Sequence, residues 1–149
     1  MTLSAEDLKA FVEKKIPFVE RMGLRVLALR RGYVKLAAPY EGNENHIGTL
    51  YAGALFTLAE IPGGALFLTS FDAERFYPVV KEMTLRFLKP AITEVTVELS
   101  LADEDIARIQ TEAEQAGKAD FSLEGEIRDA HGDVVATSRG VYQIRKFKE

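Results

Sequence analysis

The alternation of apolar and polar residues changes period along this chain, and each change marks an element. Leu8, Phe11, Val12 and Ile16 recur at helical spacing behind Ser4-Ala5-Glu6-Asp7, which has the form of a capping box. The spacing predicts a short amphipathic helix within residues 1–19, ending at Pro17 because proline disfavours helix in the residue before it. Leu24, Val26 and Ala28, then Val34, Leu36 and Ala38, alternate with period two around Arg30-Arg31-Gly32 and predict a hairpin. A turn-like stretch over 43–48 leads into residues 47–71, apolar almost throughout, which predict a central helix over 48–71, dry on most sides and bent at Pro62. Period two then returns: Val79, Met83, Leu85 and Phe87 on one face of 77–88, and Val95, Val97, Leu99 and Leu101 on one face of 93–101. Residues 103–116 read as a short exposed helix or a polar excursion, ended by Gly117. Phe121, Leu123, Gly125 and Ile127 form another strand, and a turn at 129–133 returns the chain as a strand over 134–144.

Two strands, a long apolar helix and four strands define an α+β fold. A helix apolar on nearly all sides needs wrapping, and a strongly curved antiparallel sheet with one dry and one wet face provides it. The remaining burial is expected from a second copy of the chain. The apolar tract is long enough to cross a bilayer, but a mid-span glutamate, the Pro62-Gly63-Gly64 break and strand-like flanks argue against that.

With 149 residues the chain suits one domain, 1–149, with a real core. A formal net charge of −4 disfavours nucleic acid as a partner, because phosphate binding wants a basic surface. No cysteine is present, which removes disulfides, thiolate zinc sites and a cysteine nucleophile, and is compatible with a cytoplasmic setting. With two histidines besides, a conventional metal site is not expected. Nucleophile-elbow, phosphate-loop, His-Glu-x-x-His and dinucleotide-glycine signatures are absent.

The candidate chemistry starts from Glu60, the one charged residue in 47–71. A carboxylate there must be solvated, paired or put to use, and desolvated carboxylates in clefts serve as acids, bases or nucleophiles. If the central helix starts near Ala52, the free N–H groups and dipole at that end favour a developing oxyanion. Glu60 lies about 12 Å further along the axis at about 1.5 Å per residue. One reacting carbonyl can hardly touch both ends, so a site using both joins the helix start of one copy to Glu60 of another in a homodimer.

The run Asn45-His46-Ile47-Gly48-Thr49-Leu50-Tyr51-Ala52-Gly53, with Glu60 beyond it, resembles the start of the central helix in hotdog-fold thioesterases of the phenylacetate-degradation type. The later stretch from Lys81 to Pro90-Ala91 resembles that family's strand after the helix. Element order is similar over residues 20–145. Tyr51-Ala52-Gly53 stands at the family's His-Gly-Gly stretch, so tyrosine replaces histidine and alanine one glycine. The resemblance implies a hotdog fold, a homodimer or homotetramer, and hydrolysis of acyl-coenzyme A thioesters, with coenzyme A as part of the substrate and no other cofactor. It implies Glu60 and Asn45 as catalytic residues and the N–H groups of Ala52 and Gly53 as oxyanion hole. His46, Tyr51 and Thr57 are candidates for substrate contact, and Arg86, Lys89, Arg139, Arg145 and Lys146 for the phosphates. A non-catalytic acyl-binding protein and an acyl-thioester hydratase or dehydratase are the alternative functions; the latter would need a histidine, and His46 is the candidate.

Overall fold

The computed structural model describes residues 3–148, so the first two residues of the expected 1–19 segment lie outside the described part. The N-terminal segment is two helices, α1 (Ala5–Lys14) and α2 (Pro17–Met22). Ser4 Oγ accepts from the Asp7 amide at 3.1 Å and Asp7 Oδ2 accepts from the Ser4 amide at 3.4 Å, closing the capping box; such a cap contributes about 1 kcal/mol. Pro17 does not merely end the first helix. It opens the second, at a first-turn position whose N–H has no intrahelical partner anyway. Gly23 closes α2 in the left-handed region, with φ 79°.

The hairpin β1 (Arg25–Arg30) and β2 (Tyr33–Ala38) follows, then α3 (Ala52–Ser70), β3 (Phe76–Phe87), β4 (Val95–Ser100), α4 (Asp103–Ala116), β5 (Lys118–Arg128) and β6 (Val134–Lys146). The six strands form one antiparallel sheet in the order β1-β2-β4-β5-β6-β3, with β3 at an edge. Its dry face is read directly from burial: in β5, Ala119, Phe121, Leu123 and Ile127 are buried while their neighbours in sequence are exposed. That face lies against α3, whose Leu58, Ala59, Leu66 and Phe67 are buried in the core with Leu36, Val97, Ile127 and Ile144. The polar segment after β4 is a true helix, placing Ile106, Ile109 and Ala113 in the core and capped by Gly117 with φ 81°.

Three expectations are corrected. The central helix starts at Ala52 rather than residue 48: Asn45 closes a turn over the intervening residues, and Glu44 and Leu50 form an isolated bridge. The helix continues through Pro62, which is buried, without a break. It is dry on most sides, as expected, and open on one, where Thr57, Glu60, Ile61, Gly64 and Leu68 form a partly exposed stripe at helical spacing. Finally, β3 carries a bulge between Val80 and Glu82. The extra residue, Lys81, reverses the alternation, so Val80 (opposite Tyr142), not Val79, shares the face of Met83 (opposite Gly140) and Leu85 (opposite Ser138).

Two adjacent glycines set how closely α3 meets the sheet. A Cβ on Gly63 would lie 2.1 Å from Tyr142 Cε1, so only a hydrogen fits there, whereas one on Gly64 would meet nothing within 4 Å. Tyr142, on β6, stacks on Phe121 at 5.5 Å between ring centroids and donates its hydroxyl to the Glu60 backbone oxygen at 3.1 Å. The turn of α3 bearing Glu60 is thereby tied to the sheet.

Candidate active site

Glu60 opens into a cleft of about 440 Å³ between three pieces of chain. Ile16 and Phe18 come from the α1–α2 junction, Phe56 and Thr57 from the preceding turn of α3, and Val80 and Met83 from the bulged edge strand. Phe18 is 54% exposed, Val80 44% and Phe56 43%, an apolar rim of the kind that marks a ligand or partner surface. The Glu60 carboxylate has no hydrogen-bond or ion-pair partner among the described residues. Lys81, the basic side chain of the cleft, is taken: its Nζ lies 2.9 Å from Asp120 Oδ2. Burial is therefore uncompensated and pushes the Glu60 carboxyl above the ordinary glutamate value. Tyr142 is pushed up as well, by burial first and by the Glu60 charge second.

At the other end of α3, Tyr51 is the N-cap with extended backbone and no capping side-chain bond. The Tyr51 carbonyl takes the amides of Ala54 at 3.0 Å and Leu55 at 3.2 Å. The N–H groups of Ala52 and Gly53 have no partner among the described residues. They are the orphan donors of a helix N-terminus, aimed along a dipole that favours negative charge. The Tyr51 ring lies over Gly53, where a Cβ would sit 2.5 Å from Tyr51 Cε2; any larger residue would have to displace a ring that is 60% exposed.

Asn45 organises the loop before this helix start. Its Oδ1 accepts from Ile47 at 3.0 Å and Thr49 at 3.1 Å, and its Nδ2 donates to Thr49 Oγ1 at 2.8 Å, leaving one amide hydrogen unspent. Asn45 thus accompanies the Ala52 end of α3 and does not line the cleft of Glu60 in its own chain. His46 is exposed in the same loop and does not line that cleft either. Thr57 does line it, but its hydroxyl is donated back to the Gly53 carbonyl at 2.8 Å. Of the basic candidates, Lys89 pairs with Asp133 at 2.8 Å and Arg145 donates to Gln143 at 2.6 Å, while Arg86 and Arg139 line the outer face of the sheet. Sequence reasoning did not find Ile16, Phe18, Val80 or Tyr142. Two exposed aromatic or aliphatic residues flanking Pro17 were the available signal for the first pair; only the bulge, invisible to periodicity, brings in Val80.

The curved antiparallel sheet around a central helix is the hotdog fold, of the type built by thioesterases. The particular family is shown by residues 4–144, which match Domain of unknown function (DUF4442), and the chain belongs to that family. A Pseudomonas aeruginosa protein of unknown function, named a probable thioesterase, is 56% identical over 99% of both chains, with a TM-score of 0.94. A Chlorobaculum tepidum protein of unknown function is 24% identical over 95% of this chain and 94% of that one, with a TM-score of 0.82. A Haemophilus influenzae thioesterase is 15% identical over 100% of this chain and 95% of the other, with a TM-score of 0.70. The last two show likeness of fold alone. No curated protein matches.

Proposed function

We propose that this protein hydrolyses acyl-coenzyme A thioesters at sites shared between two copies of the chain. The observation that carries the proposal is Glu60, a partly buried carboxylate without a partner at the mouth of an apolar cleft. Its raised proton affinity suits a general base working near neutral pH. The free N–H groups of Ala52 and Gly53 suit the oxygen of a tetrahedral intermediate. Neither Ala52 nor Gly53 lines the Glu60 cleft of its own chain, so the two halves meet only between copies. The exposed edge of β3, with Val80 and Phe87 unburied, offers the second copy a strand to pair with. The similarity to a named thioesterase at 56% identity supports the same reading.

In this reaction Glu60 removes a proton from water as the oxygen attacks the thioester carbonyl carbon. The carbonyl electrons move onto oxygen and are held by the partner copy's helix start. Collapse of the intermediate breaks the C–S bond, and the proton on Glu60 passes to the departing thiolate, giving carboxylic acid and thiol. Asn45 holds the loop that fixes that helix start. A cytoplasmic setting, where acyl-coenzyme A is made and used, fits the absence of cysteine.

Thiol release from coenzyme A esters of short, medium, long and aryl acids, measured with Glu60→Gln alongside, tests the proposal. Turnover that Glu60→Gln abolishes is expected. Inactivity of the native protein across the whole panel would favour an acyl-binding protein, and unimpaired turnover by the variant would remove Glu60 from the chemistry.

A further inference from the structure

Beyond the Glu60 cleft, a second hollow of about 330 Å³ runs along the open stripe of α3, and Ile16 and Ile61 are walls of both. Its floor is Ile61, Gly64 and Leu68; Phe11 of α1 stands on one side, and Pro78 of β3 and Phe147 on the other. Among the described residues, Lys15 is the one charged side chain that lines it. Its size is within the range of small-molecule pockets, roughly 300–1,000 Å³. Gly64 is what keeps it open. The neighbouring Gly63 is required by packing against Tyr142, but the space above Gly64 is empty to 4 Å, so no neighbour among the described residues demands a glycine there.

We propose that this hollow binds the acyl chain, and that the protein selects straight medium-length acyl groups of about ten carbons. The inference rests on the thioesterase reading for the position of the carbonyl at Glu60. Leu68 lies eight residues from Glu60, about 12 Å along α3 at about 1.5 Å per residue. A staggered alkyl chain with bonds of about 1.5 Å advances about 1.25 Å per carbon, so about ten carbons reach from the carboxylate to Leu68. Gly64 is passed at about the fifth carbon, one turn beyond Glu60. Each methylene buried in an apolar groove is worth about a fourfold gain in kcat/KM. The gain should continue up to decanoyl and flatten beyond it, because further carbons have no wall left to cover.

The test is kcat/KM for saturated acyl-coenzyme A from C4 to C16 with the native protein, Gly64→Leu and Leu68→Ala, together with the mass of each in solution. Gly64→Leu is expected to lose at least about 30-fold on decanoyl-coenzyme A, where several methylenes are displaced, and less than about threefold on butyryl-coenzyme A. Leu68→Ala, which removes the last part of that floor, is expected to make the plateau begin one or two carbons earlier. Equal loss at all lengths by Gly64→Leu, or an unmoved profile in both variants, would overturn the assignment. So would dissociation of Gly64→Leu into monomers, which would make the hollow a seam between copies. Binding of decanoyl- and butyryl-coenzyme A to Glu60→Gln by calorimetry separates this inference from the reaction. If the native protein hydrolyses nothing, tighter binding of the longer chain, lost on adding Gly64→Leu, still supports the chain site, and equal affinity for both sinks it.

Discussion

Replacing Gly63 and Gly64 by alanine, one at a time, should move stability in opposite directions although the positions are adjacent in one helix. Alanine in place of glycine favours a helix by about 1 kcal/mol. At Gly64 nothing within 4 Å opposes the new methyl, so Gly64→Ala should stabilise by about 0.4–1 kcal/mol. At Gly63 the methyl would lie 2.1 Å from Tyr142 Cε1, where carbon atoms normally stand about 3.5–4.0 Å apart. The ring cannot simply retreat: it is 2% exposed, backed by Gly140 and stacked on Phe121. Overpacking of this kind costs about 1–3 kcal/mol, and displacing the ring also breaks its bond to the Glu60 carbonyl, about 1 kcal/mol more. Set against the helix gain, Gly63→Ala should destabilise by about 1–3 kcal/mol. Urea denaturation midpoints at equal slope read the two values directly. A stabilised Gly63→Ala, or the same sign at both positions, would refute the close approach of α3 to β6 through Tyr142.

Other consequences are as concrete. Because burial raises the Glu60 carboxyl above its ordinary value of 4.5, the proton is held more tightly folded than unfolded; the stability this supplies is present below pH 4.5 and lost as pH rises through the raised value. Glu60→Gln should therefore melt higher than the native protein at pH 8, with the gap closing towards pH 4, while the native kcat should rise with pH through the displaced ionisation of Glu60. Ala52→Pro deletes an orphan N–H at the first helical position, where proline costs no hydrogen bond within the helix, after a residue already extended at ψ 139°; it should leave the melting temperature nearly unchanged and cost about 10²–10³ in kcat if that N–H holds the oxyanion. Tyr142→Phe keeps the ring and removes its bond to the Glu60 carbonyl, so denaturation should show a loss of about 0.5–1.5 kcal/mol.

Much of the fold was legible because β4 and β5 each have one dry face, so period two survives in Val95, Val97 and Leu99 and in Phe121, Leu123 and Ile127. The failures are equally physical. Lys81 adds a residue that no pattern of apolar positions reveals, and the face assigned to Val79 belongs to Val80. Apolar content placed the central helix four residues early, because Ile47 is hydrophobic yet 71% exposed in a loop held by Asn45. Pro17 was legible as a stop but not as a start, since proline suits both the position after one helix and the first turn of the next. Within the site, Glu60 was conspicuous because a lone charge in an apolar tract has a high cost, and the free amides at Ala52 followed from helix geometry once the start was known. Tyr142 sits 82 residues from Glu60 in a strand where a buried aromatic is ordinary, and only the hydroxyl bond distinguishes it.

The account stands on the meeting of Glu60 from one copy with the start of α3 from another, and subunit mixing measures this most directly. Glu60→Gln and Ala52→Pro, each inactive as a homodimer, would be unfolded together in equal amounts, refolded and assayed for thiol release. About half the dimers formed are mixed, and each mixed dimer regains one intact site of two, so about a quarter of native activity should return. If each site lay within one chain, no intact site could form, and activity that stays at the level of the separate variants would contradict the account.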